Sequence, residues 1–223
     1  MFGNWRRLHR NGRREAFVRH RLEQHLAPAV VRRIVEQPEL VKLDSERREV
    51  TALFTDIERF TATTHRAGPE QLVATLDQYF EGVAGIVIRH GGIIDKIVGD
   101  AVHALFNAPL DLKNHPQRAV ECAIAIQTWC EGFRRCAPAA AIELGRTRIG
   151  IETGLAVVGD VGIRSKLDYT AHGDAVNMAA RLEACTRNSA RRSVSGRLQL
   201  RGATPHCCGV AFLTRGRGKG GQN

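Results

Sequence analysis

Two aspartates stand in segments that suit an acid placed beside a divalent cation and the phosphates it would bridge. Asp56 lies in VTALFTDIERFT (50–61) and Asp100 in DKIVGDAVHALF (95–106). In each, an apolar, β-prone run delivers one acid to the end or the turn of a strand. There its hard oxygens can reach Mg²⁺ or Mn²⁺ while substrate phosphates complete the shell. A single aspartate at a strand end is more often a helix cap or turn former; two in matching settings predict a two-metal site. In a third segment, LDYTAHGDAVNMAARLE (167–183), Asn177 and Arg181 are four residues apart. A helix sets both on one face and offers an amide and a cationic fork to phosphate charge.

Taken together and in this order, the three segments resemble the catalytic domain of the class III nucleotide cyclases, over about residues 48–186. The resemblance implies that Asp56 and Asp100, with the Ile57 carbonyl, are the ligands of two Mg²⁺ or Mn²⁺ ions per site. It implies backbone N–H groups of Phe60 and Thr61 on the phosphates, and Lys96 and Thr170 as readers of the purine. Lysine at that position can donate to adenine N1, where guanylate cyclases usually carry a glutamate acceptor. Threonine at 170 resembles the adenylate cyclase subgroup called class IIIb. Lys219, in RGKG (217–220), falls where the family has a phosphate-contacting lysine.

The implied reaction is attack of the ribose 3′ oxygen of ATP on the α-phosphate, giving cyclic AMP and pyrophosphate, with Arg181 stabilising phosphorus charge and Asn177 orienting the ribose. In the family each site is shared across a dimer interface. This chain carries both halves, so a homodimer with two equivalent sites follows. A guanylate cyclase and a catalytically silent, cyclase-like dimerisation or regulatory module are the alternatives. Two departures bear on them. Arg59 stands where the phosphate-binding turn usually has glycine. The end of the chain, after one apolar run at 210–213, is rich in Arg and Gly rather than in strand sequence.

The elements that must position these residues predict an α+β fold with a ferredoxin-like, polymerase-palm-like antiparallel sheet and helices packed on it. Val50–Asp56 reads as a strand, and Pro69–His90 as a helix with Leu72, Leu76, Phe80 and Val83 on one side, ended by Gly91-Gly92. Ile93–Val98 and Ala101–Phe106 read as a hairpin around Gly99-Asp100. His115–Cys136 is a second helix. Arg148–Thr153 and Ala156–Val161 read as another hairpin around Gly154, and Asp174–Thr186 as the helix that bears Asn177 and Arg181. The β-α-β-β-α-β order is that of a ferredoxin-like unit.

The chain divides into a basic N-terminal helical lead (1–47), a catalytic domain (48–186) and an atypical Arg/Gly-rich C-terminal part of that domain (187–223). In the lead, Phe17, Leu22, Leu26, Val30, Val31, Ile34 and Val35 recur at helical steps interrupted by Pro28, which predicts two short helices or one kinked helix. At 223 residues and 43% hydrophobic the chain can bury one full core. Its net charge of +10 is terminal: residues 1–48 hold twelve Lys/Arg against six Asp/Glu, and 187–223 hold eight against none. The middle is net acidic, which fits solvated tails or a membrane surface and argues against a specific nucleic-acid groove. The six cysteines show no Cys-x-x-Cys pairing, as expected for reduced thiols in a cytoplasmic protein. No apolar run is long enough to span a bilayer, and an upstream sensor or membrane receptor at the cytoplasmic face is an expected kind of partner.

Overall fold

A computed structural model of the chain describes residues 45–163, 166–185 and 210–214. Among these the strands are β1 (Glu46–Ile57), β2 (Ile93–Val98), β3 (Ala101–Phe106), β4 (Thr147–Ile163), β5 (Lys166–His172) and β6 (Val210–Thr214). The helices are α1 (Phe60–Arg66), α2 (Pro69–Arg89), α3 (His115–Phe133) and α4 (Asp174–Cys185). Strand order is β2-β3-β1-β4-β5, antiparallel at each of these pairings. This is the ferredoxin-like α+β arrangement that the sequence predicts. Residues 1–44 of the helical lead, Lys219, Cys207 and Cys208 lie outside the described residues, while Glu46 and Arg47, expected in the lead, open β1.

Alternation along β1 assigns the two faces of the sheet. Leu53 and Ile57 point into a core shared with Tyr79, Val83, Ile86 and Val87 of α2 and Ala119, Cys122, Ala123 and Ile126 of α3. Val50, Ala52 and Phe54 point to the opposite face, where Ala179 of α4 covers them. The sheet is therefore sandwiched, and period-2 patterning of one strand feeds two cores. Cys122 and Cys130 are buried in the first core, which pushes both thiols up to about 12 and leaves them inert as nucleophiles.

Helix α2 starts with Pro69 at its first turn, where the missing N–H costs nothing. It ends on Gly91 at φ 84, with Gly92 N–H bonded to the Val87 carbonyl at 3.0 Å, a left-handed cap that suits glycine. Its buried line is Thr75, Tyr79, Val83, Ile86 and Val87, while Leu72, Leu76 and Phe80 are only partly buried at its flank. The expected face was thus offset: the apolar stripe is broad, and the aromatic ring at its centre is Tyr79 rather than Phe80.

The expected hairpin around Gly154 is absent. Residues Thr147–Ile163 form one continuous strand, whose second half pairs antiparallel with β5. Gly154 marks a close approach instead: a Cβ there would sit 3.2 Å from the Ala175 methyl of α4. Gly150, two pairs earlier on the same face, is closer still, because a Cβ would collide with the Ala179 carbonyl and the Glu183 backbone. The two glycines let α4 lie on the strand backbone. Three elements lie beyond the expectations, the first being β5, antiparallel to the second half of β4. Helix α1 follows Arg59 directly, and the apolar run near the C-terminus adds β6 parallel to Ile149–Thr153 of β4. Helix α3 closes at Phe133, three residues before the expected end.

Candidate active site

The ladder between β1 and β3 runs from Thr51↔Phe106 to Phe54↔His103. Continued, the same register sets Thr55 opposite Val102 and Ile57 opposite Asp100, and there side chains supply the acceptors. Val102 N–H donates to Thr55 Oγ1 at 3.0 Å, and Ile57 N–H donates to Asp100 Oδ2 at 2.8 Å. The Asp100 carboxylate, carried on the β2–β3 turn, is thereby held beside the residue that follows Asp56.

Asp56 lies on the α4 face of β1, in register with Arg148 of β4. Arg148 Nη2 contacts Asp56 Oδ2, and Arg148 Nε lies 3.0 Å from Glu183 Oε1 of α4. The three side chains are 19%, 9% and 11% exposed for Asp56, Arg148 and Glu183. A carboxylate, a guanidinium and a second carboxylate therefore join β1, β4 and α4 in a largely desolvated line. The sequence reading missed Thr55, Arg148 and Glu183. For Arg148 a signal existed: a lone cation in the apolar strand run RIGI (148–151) is costly to bury unless it is paired.

Beyond Ile57 the chain turns at Arg59, which adopts φ 58 and ψ 26 as the residue preceding α1. The left-handed turn expected from glycine in this place is made, with arginine bearing the steric cost. Phe60 and Thr61 follow as the first residues of α1, where helix N–H groups lack intrahelical partners. A cavity of about 510 Å³ lies along this turn, lined by Glu58, Arg59, Thr63, Arg66, Arg134 and Arg146 among others. Its lining includes none of Asp56, Asp100, Lys96, Asn177 and Arg181.

The other candidates are spread over the fold. Lys96 is on β2, its side chain 42% exposed, with Nζ 3.5 Å from Asp95 Oδ2. It pairs in register with His103, whose ring lies 4.0 Å from that of Phe54. Burial, more than the nearby Lys96 charge, holds His103 below the usual histidine range, against the opposing pull of Asp95. Thr170 is on β5 at the other end of the strand order, 4% exposed, and its hydroxyl has no hydrogen-bond partner among the described residues. Asn177 and Arg181 are both exposed on α4, whose buried line is Ala175, Ala179 and Leu182. They face away from the body of their own chain.

The donors that could hold a cation are the two carboxylates and the main-chain oxygen of Ile57. An oxygen-only set suits a hard ion such as Mg²⁺ or Mn²⁺. Among the described residues no group of three or more His, Cys, Asp or Glu side chains converges, so water or substrate oxygens would complete the shell.

The sequence model of the family described as the adenylate and guanylate cyclase catalytic domain matches residues 43–209. The chain belongs to this family. The cyclase domain is 45% identical over 137 residues to adenylate cyclase 1 of Rhizobium meliloti, covering 61% of this chain and 21% of that protein. The chain thus spans well under two thirds of that relative's length. Among solved structures it is similar to the adenylyl cyclase CyaB from P. aeruginosa, with 34% identity and a TM-score of 0.61 over 64% of this chain and 74% of that one. It is also similar to the guanylyl cyclase Cya2, with 30% identity and a TM-score of 0.61 over 71% and 88%. Relatives of both purine specificities share the fold, so overall likeness does not choose the nucleotide. Among the described residues no helix is long and apolar enough to cross a membrane.

Proposed function

We propose that this cyclase domain converts ATP to 3′,5′-cyclic AMP and pyrophosphate as a homodimer with sites shared between chains. The observation that carries the choice of purine is Lys96. Its side chain, 42% exposed on the edge strand, ends in an ammonium that can only donate hydrogen bonds, which matches the acceptor N1 of adenine and opposes the N1–H of guanine. The buried Thr170 hydroxyl, without a partner among the described residues, suits the adenine amino group. A buried polar atom left unpaired is costly unless a ligand satisfies it.

In this reading Asp56, Asp100 and the Ile57 carbonyl hold two divalent cations. When bound, these supply Lewis-acid polarisation of the ribose 3′ hydroxyl and of the triphosphate. The protein groups do the positioning. N–H groups of Phe60 and Thr61 receive phosphate oxygens, Asn177 orients the ribose, and Arg181 faces the α-phosphate as charge develops on it. The 3′ hydroxyl loses its proton to solvent, its oxygen bonds to the α-phosphorus as the bond to the bridging oxygen breaks, and pyrophosphate leaves. The exposure of Asn177 and Arg181 on α4 supports a role for them in the site of a second copy, and twofold symmetry makes both sites alike.

The test is cyclic-nucleotide production by the purified chain with Mn²⁺ or Mg²⁺, ATP and GTP offered separately and size followed by light scattering. Cyclic AMP from a dimer is the expected result. Cyclic GMP as the product would overturn the role of Lys96, and no product from a folded dimer would overturn catalysis itself.

A further inference from the structure

Thr55 precedes Asp56 and is 1% exposed. A buried threonine in a strand is usually a packing choice, but three features of this one point elsewhere. First, its Oγ1 accepts the Val102 N–H at the point where the β1–β3 ladder gives way to side-chain acceptors. A main-chain acceptor would draw β3 against β1 at the ordinary separation of about 4.8 Å. An acceptor on a side chain keeps the bond while displacing the hairpin. Second, Val102 is two residues from Asp100, and Asp100 is itself fixed to Ile57 by the 2.8 Å bond. The hairpin that carries one carboxylate is therefore tied twice to the strand that carries the other. Third, a buried phenol lies next to the hydroxyl. Tyr79 of α2 is fully buried, its hydroxyl accepts from Thr147 Oγ1 at 3.3 Å, and Thr55 is near enough to act on the same phenol. Burial raises the Tyr79 phenol well above its ordinary value, so it stays neutral, and the Asp100 charge is near enough to add to that rise.

We infer that Thr55, bonded to Val102 of the hairpin, is a positioning residue that sets the gap between Asp56 and Asp100 for the divalent cation. The inference rests on the reading of those two aspartates as cation ligands. Partners behind the ligands of a metal site commonly change affinity by about 10–100-fold when removed, and this pair is such a layer for a hairpin rather than for a single side chain.

The experiment measures Mn²⁺ binding to the full chain by electron paramagnetic resonance without nucleotide, alongside amide exchange at Val102. Thr55→Val keeps the shape and removes the acceptor. It should weaken Mn²⁺ binding by about 10-fold or more and speed exchange at Val102, whereas Thr55→Ser should bind as the wild type does. Tyr79→Phe, which leaves Thr55 in place, should give a smaller loss of the same kind. Wild-type affinity in Thr55→Val, or equal losses in Thr55→Val and Thr55→Ser, would overturn the inference. Asp100→Ala separates the two levels: if it and the wild type bind Mn²⁺ alike, the ligand assignment itself falls. If only Asp100→Ala loses binding while Thr55→Val does not, the ligand reading stands and the positioning role falls.

Discussion

Arg148 of β4 stands directly opposite Asp56 of β1, and its Nη2 reaches the Asp56 carboxylate. Its Nε lies 3.0 Å from Glu183, so one cation serves two acids that are 19% and 11% exposed. Removing the cation takes a buried partner from both acids at once. Arg148→Met should cost about 3–5 kcal/mol of stability, as breaking a buried pair from one side does. Adding Glu183→Gln to Arg148→Met should recover part of that loss, because one stranded charge is then gone. Urea unfolding of the wild type and the two variants checks this, and an unchanged midpoint in Arg148→Met would show that the line contributes nothing to stability.

The exposed Asn177 and Arg181 and the partly buried Asp56 belong, in the proposed dimer, to different sites of the same chain. Asp56→Ala and Asn177→Ala homodimers should both be inactive. Mixed, they should regain about a quarter of the wild-type rate, since random pairing makes half the dimers mixed and each of these keeps one whole site. Subunit exchange shown by differently tagged chains, with no recovery of cyclase activity, would sink the shared-site arrangement.

Much of this architecture is legible in the sequence for physical reasons that differ from element to element. The β2–β3 hairpin is readable to its ends because Gly99-Asp100 interrupts two β-prone runs, and α4 because its apolar residues recur at helical steps. The continuous strand β4 is not readable, because a glycine that admits a helix and a glycine that makes a turn look the same in sequence. Gly154 is the first kind, and only its proximity to Ala175 reveals it. The candidate acids are legible as a pattern, whereas Thr55, Tyr79, Arg148 and Glu183 are not: each acquires its part through a contact with a residue distant in sequence.

His115, at the start of α3, places Nδ1 2.8 Å from Thr51 Oγ1 and Nε2 3.7 Å from Glu49. Burial lowers it from 6.5, and the Glu49 charge only partly opposes this. The folded state thus favours the neutral ring, and the unfolded chain takes up more protons as pH falls. The stability is fully present above about 6.5 and is lost as pH drops through that value towards the lowered one. Thermal unfolding should show a falling Tm below pH 6.5, with a shallower fall in His115→Gln. His103, lowered for the same first reason, adds a slope of the same sign, so the variant should reduce the dependence without abolishing it.

Arg59 at φ 58 occupies the left-handed region with a full side chain, a conformation that costs about 1–2 kcal/mol for an L-residue. Arg59→Gly removes that cost but adds about 0.5–1 kcal/mol of unfolded-chain entropy, so a net gain of up to ~1.5 kcal/mol is expected. Arg59→Ile, with branching at Cβ, should lose roughly 1–2 kcal/mol. The comparison is made from urea midpoints at constant slope. Equal stability of the glycine and isoleucine variants would mean that the turn does not hold this backbone in solution.

Gly150 and Gly154 separate close approach from turn formation. A methyl at Gly150 would run into the Ala179 carbonyl and the Glu183 backbone, neither of which can rotate away. Helix α4 must then lift from β4, taking Asn177, Arg181 and Glu183 with it. Gly150→Ala should therefore lose about 1–3 kcal/mol and nearly all cyclase activity together. Gly154→Ala places its methyl 3.2 Å from that of Ala175, a contact that a small shift relieves. Its loss should stay under about 1 kcal/mol, with activity largely retained. Circular dichroism melts and turnover of the two variants side by side decide the matter. If Gly154→Ala proved the more damaging, residue 154 would be acting as a turn glycine, and the continuous β4 that seats α4 would be wrong.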